Sequence, residues 1–167
     1  MLIVYLVIAL AAAGSDQLTK ALIFGHDSGF IPGFICFRST ENRGMVWGLM
    51  NGVNWFVPAV SVVTLAVVGL IIFLIVKYRK VMHPLIGAAL ACVVGGAIGN
   101  LIDRVFLGFV RDFICTEFIS FPVFNVADAF ITCGAILLAV MMIFTRPGHR
   151  LIAAMFPEED RKRKGES

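Results

Sequence analysis

The chain has 167 residues, 59% of them hydrophobic and 15% charged, and a formal net charge of +3. A soluble domain of that length could not bury so much apolar surface in one core, so lipid must be the solvent for much of it. The fourteen basic residues are clustered rather than spread over one face, which argues against a nucleic-acid partner.

Four stretches are long and apolar enough to cross about 30 Å of hydrocarbon. They are residues 2–24, 55–76, 84–106 and 126–145. The first could pass for a secretory signal peptide, because Ala11, Ala12 and Ala13 offer small residues for cleavage. No Lys or Arg precedes it, however, and helical character continues through Asp16 to Phe24, so it is read as an uncleaved span. In the connection 25–54, residues 34–37 and 45–47 read as two short extended stretches around a turn at Glu41, Asn42, Arg43 and Gly44. Gly44 supplies a permissive backbone there and Asn42 local hydrogen bonding. Trp47 and Trp55 suit an interfacial aromatic belt.

The second span carries no charge between Trp55 and Val76. In the third, Gly95, Gly96 and Gly99 follow the small-residue pattern that lets membrane helices approach closely. Residues 109–113 are extended in character again. The expected architecture is therefore an all-α integral membrane protein, with four transmembrane helices and a small β platform built from the first and second outer connections. Residues 1–150 form the transmembrane domain and 151–167 a charged tail.

Basic residues set the orientation. Lys77, Arg79 and Lys80 follow the second span, and Arg146, Arg150, Arg161, Lys162, Arg163 and Lys164 follow the fourth. Nine of the fourteen Lys and Arg thus lie on the face with both termini, which is expected to be cytoplasmic. The connections 25–54 and 107–125 then face outward. Four cysteines show no CxxC pairing, three histidines lie far apart, and HExxH is absent, so a zinc protease is not expected. Cys36 and Cys115 both fall on the outer side and could oxidise to a disulfide, but are read as unpaired thiols.

Ionisable residues in membrane spans are costly and mark function by default. Asp16, Gln17, Thr19 and Lys20 fall in the second half of span 1, Asn100, Asp103 and Arg104 at the end of span 3, and Asn125 and Asp128 at the start of span 4. Topology brings these groups together near the outer leaflet with Asp112. Asp16 and Lys20, four apart, can pair on one helix face, either as a structural ion pair or to orient substrate. Asp103 and Arg104 are adjacent and can compensate one another, leaving Asn100 and Arg104 to hold a carbonyl or a phosphate-like oxygen. No serine has a histidine partner, and Ser15 lies on a different helix face from Lys20. Carboxylates acting on water remain. Depth alone favours Asp103 with Asp128.

Five motifs occur in order: Asp16-Gln-Leu-Thr-Lys20, Asn42-Arg-Gly44, Gly95-Gly-Ala-Ile-Gly-Asn-Leu-Ile-Asp-Arg104, Val110-Arg-Asp-Phe113 and Phe124-Asn-Val-Ala-Asp128. With them the chain resembles the lipoprotein signal peptidase (signal peptidase II) family, bacterial inner-membrane aspartic proteases. The family usually has small residues and then a phenylalanine after Asn42, where this chain has Arg43, Gly44, Met45, Val46 and Trp47. The resemblance implies that Asp112 and Asp128 are the catalytic pair and makes Asp103 a supporting residue. It implies Asp16, Lys20, Asn42, Gly44, Asn100, Arg104 and Asn125 as further supporting or substrate-binding groups. The implied substrates are prolipoproteins whose cysteine already bears a diacylglyceryl group, cleaved just before that cysteine by a monomeric enzyme in membrane lipid, with neither metal nor organic cofactor. The alternative is a small polytopic transporter or ion pathway, which predicts polar residues along the depth of the spans. A passive scaffold would leave the gathered carboxylates without a purpose.

Overall fold

The computed structural model describes residues 1–43 and 55–157. The expected extended stretch at 45–47, and Gly44 with it, lies outside these residues. Four helices are long and apolar enough to cross a membrane: α1 (Leu2–Ile23), α2 (Phe56–Tyr78), α3 (Pro84–Leu107) and α4 (Val126–Phe144). Each lies within two residues of the predicted span at both ends. A shorter helix, α5 (Arg146–Met155), follows α4 directly. It was not anticipated, and it runs across the expected start of the tail at residue 151.

Helix α3 is the centre of the bundle and packs against α1, α2 and α4. Its glycines explain how. A Cβ on Gly95 would lie 2.5 Å from the Ala9 carbonyl oxygen of α1, and one on Gly96 would lie 2.5 Å from the Ala127 carbonyl oxygen of α4. Backbone-to-backbone approach this close is what small residues permit in lipid, where apolar burial gives helices little reason to associate. Helix α2 offers no charge to the bundle, and most of its apolar side chains remain exposed. Its two mid-helix hydroxyls, Ser61 and Thr64, donate to carbonyls four residues back, which satisfies them within the helix.

A three-stranded antiparallel sheet, β1 (Ser28–Ile31), β2 (Ile35–Asn42) and β3 (Val110–Thr116) in the order β1-β2-β3, covers the end of the bundle where α1 and α3 finish and α4 begins. The platform is present, and of the expected turn residues 41–44 the first two, Glu41 and Asn42, belong to its second strand, while Gly44 lies outside the described residues. The hairpin reverses at Gly33, whose φ of 73° favours glycine. Glu41 and Asn42 continue β2 and pair with Arg111 and Val110. Cross-strand pairing with β3 outweighs the local turn propensity of Asn42. One extra residue in β2 between Phe37 and Thr40 forms a bulge. Ser39 in that bulge takes a hydrogen bond from Gly25, which ties the sheet to the end of α1.

Cys36 and Cys115 are directly opposed on β2 and β3, with Cα atoms 5.1 Å apart, and are joined as a disulfide. This corrects the reading of unpaired thiols. Seventy-nine residues separate them in sequence, and only the strand register makes them neighbours.

Candidate active site

Three local devices bring the polar residues together. Helix α3 ends at Gly108, in the left-handed conformation at φ 76°, and the chain turns there into β3. The turn carries Arg111 back onto the end of α3. Its backbone N–H donates to Asp103 Oδ2 at 2.9 Å, and its guanidinium reaches Asp103 Oδ1 at 2.8 Å and Gln17 Oε1 at 3.0 Å. Asp112 follows on β3. Phe124 then pairs with Ile114 in an isolated antiparallel bridge, so the next residue, Asn125, lies beside Asp112. Asn125 is also the N-cap of α4, and it forms a reciprocal capping box with Asp128.

The two carboxylates of the resemblance therefore share one partner residue, Asn125, which holds Asp112 by its side chain and Asp128 by its backbone N–H. Asn125 Nδ2 donates to Asp112 Oδ1 at 2.6 Å. Asn125 Oδ1 accepts from the Asp128 backbone at 2.9 Å, and Asp128 Oδ2 accepts from the Asn125 backbone at 3.2 Å. The remaining carboxylate oxygens are held too. Asn42 Nδ2 donates to Asp112 Oδ2 at 2.9 Å, and Asn100 Nδ2 donates to Asp128 Oδ1 at 2.8 Å. Burial pushes the Asp112 carboxyl up to about 6, and the negative charge of Asp128 adds to this against the bonds from Asn42 and Asn125 and the Lys20 charge.

Beneath this pair lies a buried ionic layer. Lys20 Nζ contacts Asp16 Oδ2 at 2.8 Å, Asp103 Oδ2 at 3.2 Å and Asn100 Oδ1 at 3.0 Å, one acceptor for each of its three protons. Lys20 is 1% exposed and Asp16 0%, so neither meets substrate in this state. The two side chains are buried and ion-paired on one face of α1. Asp16 Oδ1 accepts from Ala127 N at 2.9 Å and so satisfies a first-turn amide of α4, where the helix dipole favours an anion. Asn100 presents its oxygen to both Lys20 and Asn125, which turns its amide nitrogen to Asp128. Among the described residues every buried side-chain polar atom has a hydrogen-bond partner.

One expectation changes. Asp103 is not compensated by Arg104. It pairs with Lys20 and Arg111, because Arg104 projects elsewhere and makes no ion pair among the described residues. Arg104 lies instead within electrostatic reach of Asp128, Asp112 and Asp103. Asn100 and Asn125, expected to hold substrate, are bonded to the carboxylates. Sequence reading did not single out Gln17 as a site residue, though as a polar side chain in the outer half of a span it carried a signal. Its amide donates to Asp16, Asp103 and the Gly99 carbonyl. Arg111 was missed because nothing in its strand context pointed at Asp103.

A family model described as Signal peptidase (SPase) II matches residues 8–144. The chain belongs to the signal peptidase II family. It is 38% identical over 149 residues to the lipoprotein signal peptidase of Enterococcus faecalis, covering 86% of this chain and 89% of that one. With the lipoprotein signal peptidase of Listeria monocytogenes it shares 41% over 143 residues, covering 81% and 90%. Two solved structures of bacterial membrane enzymes, obtained by the in meso method at 2.3 and 1.9 Å, superpose with TM-scores of 0.73 and 0.71. Their identities to this chain are 31% and 30%, covering 84% of it and 87% and 93% of theirs. Membership makes this a multi-pass bacterial membrane protease that removes signal peptides from lipoproteins.

Proposed function

We propose that the protein is an aspartic endopeptidase in which Asp112 and Asp128 act as a shared-proton dyad on diacylglyceryl-modified prolipoproteins, cutting just before the lipidated cysteine. The observation that carries this reading is that one residue, Asn125, holds both carboxylates, Asp112 through its side-chain amide and Asp128 through its backbone N–H, with each of their oxygens held by a fixed donor. Two carboxylates so close in charge do not both ionise easily, so one proton is shared. The ionised member draws a proton from water as its oxygen attacks the scissile carbonyl. The protonated member gives its proton to that carbonyl oxygen and takes it back as the tetrahedral intermediate collapses, while the proton taken from water passes to the nitrogen of the breaking C–N bond and releases the new amine. The asparagines hold both carboxylates in place, so little reorganisation accompanies the reaction.

The charge balance supports the same reading. Asp16, Lys20, Asp103 and Arg111 compensate one another. That leaves Arg104 as the counter-charge to a singly ionised dyad, and as the donor available to a substrate carbonyl or phosphate-like oxygen. In the proposed orientation both termini are cytoplasmic and the sheet end faces outward. The substrate's acyl chains then stay in lipid while its peptide reaches the dyad, and the enzyme works as a monomer. Gly44, outside the described residues, is proposed as a supporting residue on the resemblance alone.

The test is mass spectrometry of a lipid-modified precursor incubated with purified wild-type, Asp112→Asn, Asp128→Asn and Asp103→Asn proteins of verified fold. Loss of cleavage in the first two variants is expected. Near-normal turnover in either one would overturn the dyad, and activity that survives in Asp112→Asn but vanishes in Asp103→Asn would move it to Asp103.

A further inference from the structure

Helix α5 takes no part in the site, and nothing in the reaction requires it. Thr145 is extended, ends α4, and caps α5 by accepting from Gly148 N at 3.2 Å. Gly148 then lies so close to α4 that a Cβ there would run into the Met141 carbonyl. Leu151, 4% exposed, joins the core cluster of Ile75, Met82, Ile86 and Met141. The helix therefore folds back under the end of the bundle opposite the sheet and does not prolong the fourth span.

Its remaining surface has two edges. Ile152 and Phe156, at i and i+4, stay 37% and 52% exposed beside the packed face. Arg146 and Arg150, also four apart, are exposed on the other side. Among the described residues the charge around them has one sign. Lys77 in the last turn of α2 and Arg79 and Lys80 in the α2–α3 turn lie at this same end, and no Asp or Glu occurs in residues 1–15, 56–102 or 129–157. The sequence after Pro157 does not alter this, because its four acidic residues cancel its four basic ones.

We propose that α5 is an interfacial helix that docks on anionic phospholipid headgroups, with Arg146 and Arg150 against lipid phosphates and Ile152 and Phe156 in the acyl boundary. Its start one residue after the fourth span places it at the bilayer edge, where an apolar edge beside a basic one fits the headgroup region. The uncompensated cations supply the preference for acidic lipid, each worth about a fivefold gain in attraction to an anionic surface. A soluble acidic partner would match the charge but would leave Ile152 and Phe156 without a reason.

The experiment is amide hydrogen exchange on the full chain in phosphatidylcholine nanodiscs, with and without phosphatidylglycerol. Exchange of α5 amides should slow about tenfold when phosphatidylglycerol is present, and Arg146→Gln/Arg150→Gln should remove that dependence. Ile152→Ser/Phe156→Ser should raise α5 exchange in both lipids. Unchanged exchange along α3 in every variant reports an intact bundle. Equal α5 exchange in the two lipids for wild type would overturn the proposal. So would a lipid dependence that survives in Arg146→Gln/Arg150→Gln. Glycerol phosphate added to phosphatidylcholine nanodiscs should have no effect; if it reproduced the slowing, the site would be one for soluble phosphate and not for a membrane surface.

Discussion

Asn125 donates to Asp112 at 2.6 Å across the junction between β3 and α4, while the same side chain caps the helix that carries Asp128. One residue thus sets a helix start and the spacing of two carboxylates, and substitution can separate the two tasks. Asn125→Ser keeps a good N-cap but is too short to reach Asp112, so thermal stability should stay near wild type. Cleavage of a lipidated precursor should still fall by on the order of a hundredfold, as when an oriented donor is removed from an active site. Asn125→Ala should lose both, with a further ~1 kcal/mol of stability. Full activity in Asn125→Ser would show that the Asp112 contact is incidental.

The raised Asp112 carboxyl gives a sign for pH dependence. Its folded value is about 6, and unfolded carboxylates titrate near ~4. Between these values the folded protein holds more protons, so this group's contribution to stability is complete below ~4 and is lost as pH rises through about 6. Asp112→Asn has no such titration. Its melting temperature relative to wild type should therefore rise between about pH 4 and 7; a difference that stays flat or falls contradicts the assignment. Because the shift already includes an ionised Asp128, it describes loss of the pair's last proton. The alkaline limb of kcat/KM should thus belong to the dyad as a unit.

The buried ionic layer should respond as a network and not as separate pairs. Lys20→Met strands Asp16 and frees Asn100 to turn, so it should cost roughly 3–5 kcal/mol, the usual penalty for a buried charge left alone. The double variant Asp16→Asn/Lys20→Met should be milder. Asp103 keeps Arg111 at 2.8 Å, and an amide at position 16 can still accept from Ala127 N. Thermal unfolding in detergent measures the difference. A double variant worse than the single one would mean that Asp16 does more than balance charge.

A methyl group at Gly99 would lie 2.6 Å from Asp16 Oδ2. Gly99→Ala should push α1 from α3 where the ionic layer sits, lowering stability by about 1–3 kcal/mol and cleavage with it. Gly69 in α2 opens onto free space, so Gly69→Ala should leave both unchanged or raise stability by up to about 1 kcal/mol.

The sequence by itself determined the spans and the end of the bundle where polar groups collect. Hydrophobic length and the cost of charge in lipid are local properties that each segment carries on its own. The asparagines and aspartates were visible for the same reason, as polar residues in an apolar solvent. What the tertiary structure alone decided is which of them meet. Asp103 goes to Lys20 and Arg111 and not to its neighbour Arg104, because Gly108 turns β3 back onto the end of α3. Cys36 finds Cys115, and Asn42 finds Asp112, through a strand register that a single bulge sets. Asn125 reaches Asp112 because one β-bridge at Phe124 carries it there. Such partnerships depend on Å-scale approach between segments far apart in the chain, and no residue's own chemistry encodes them.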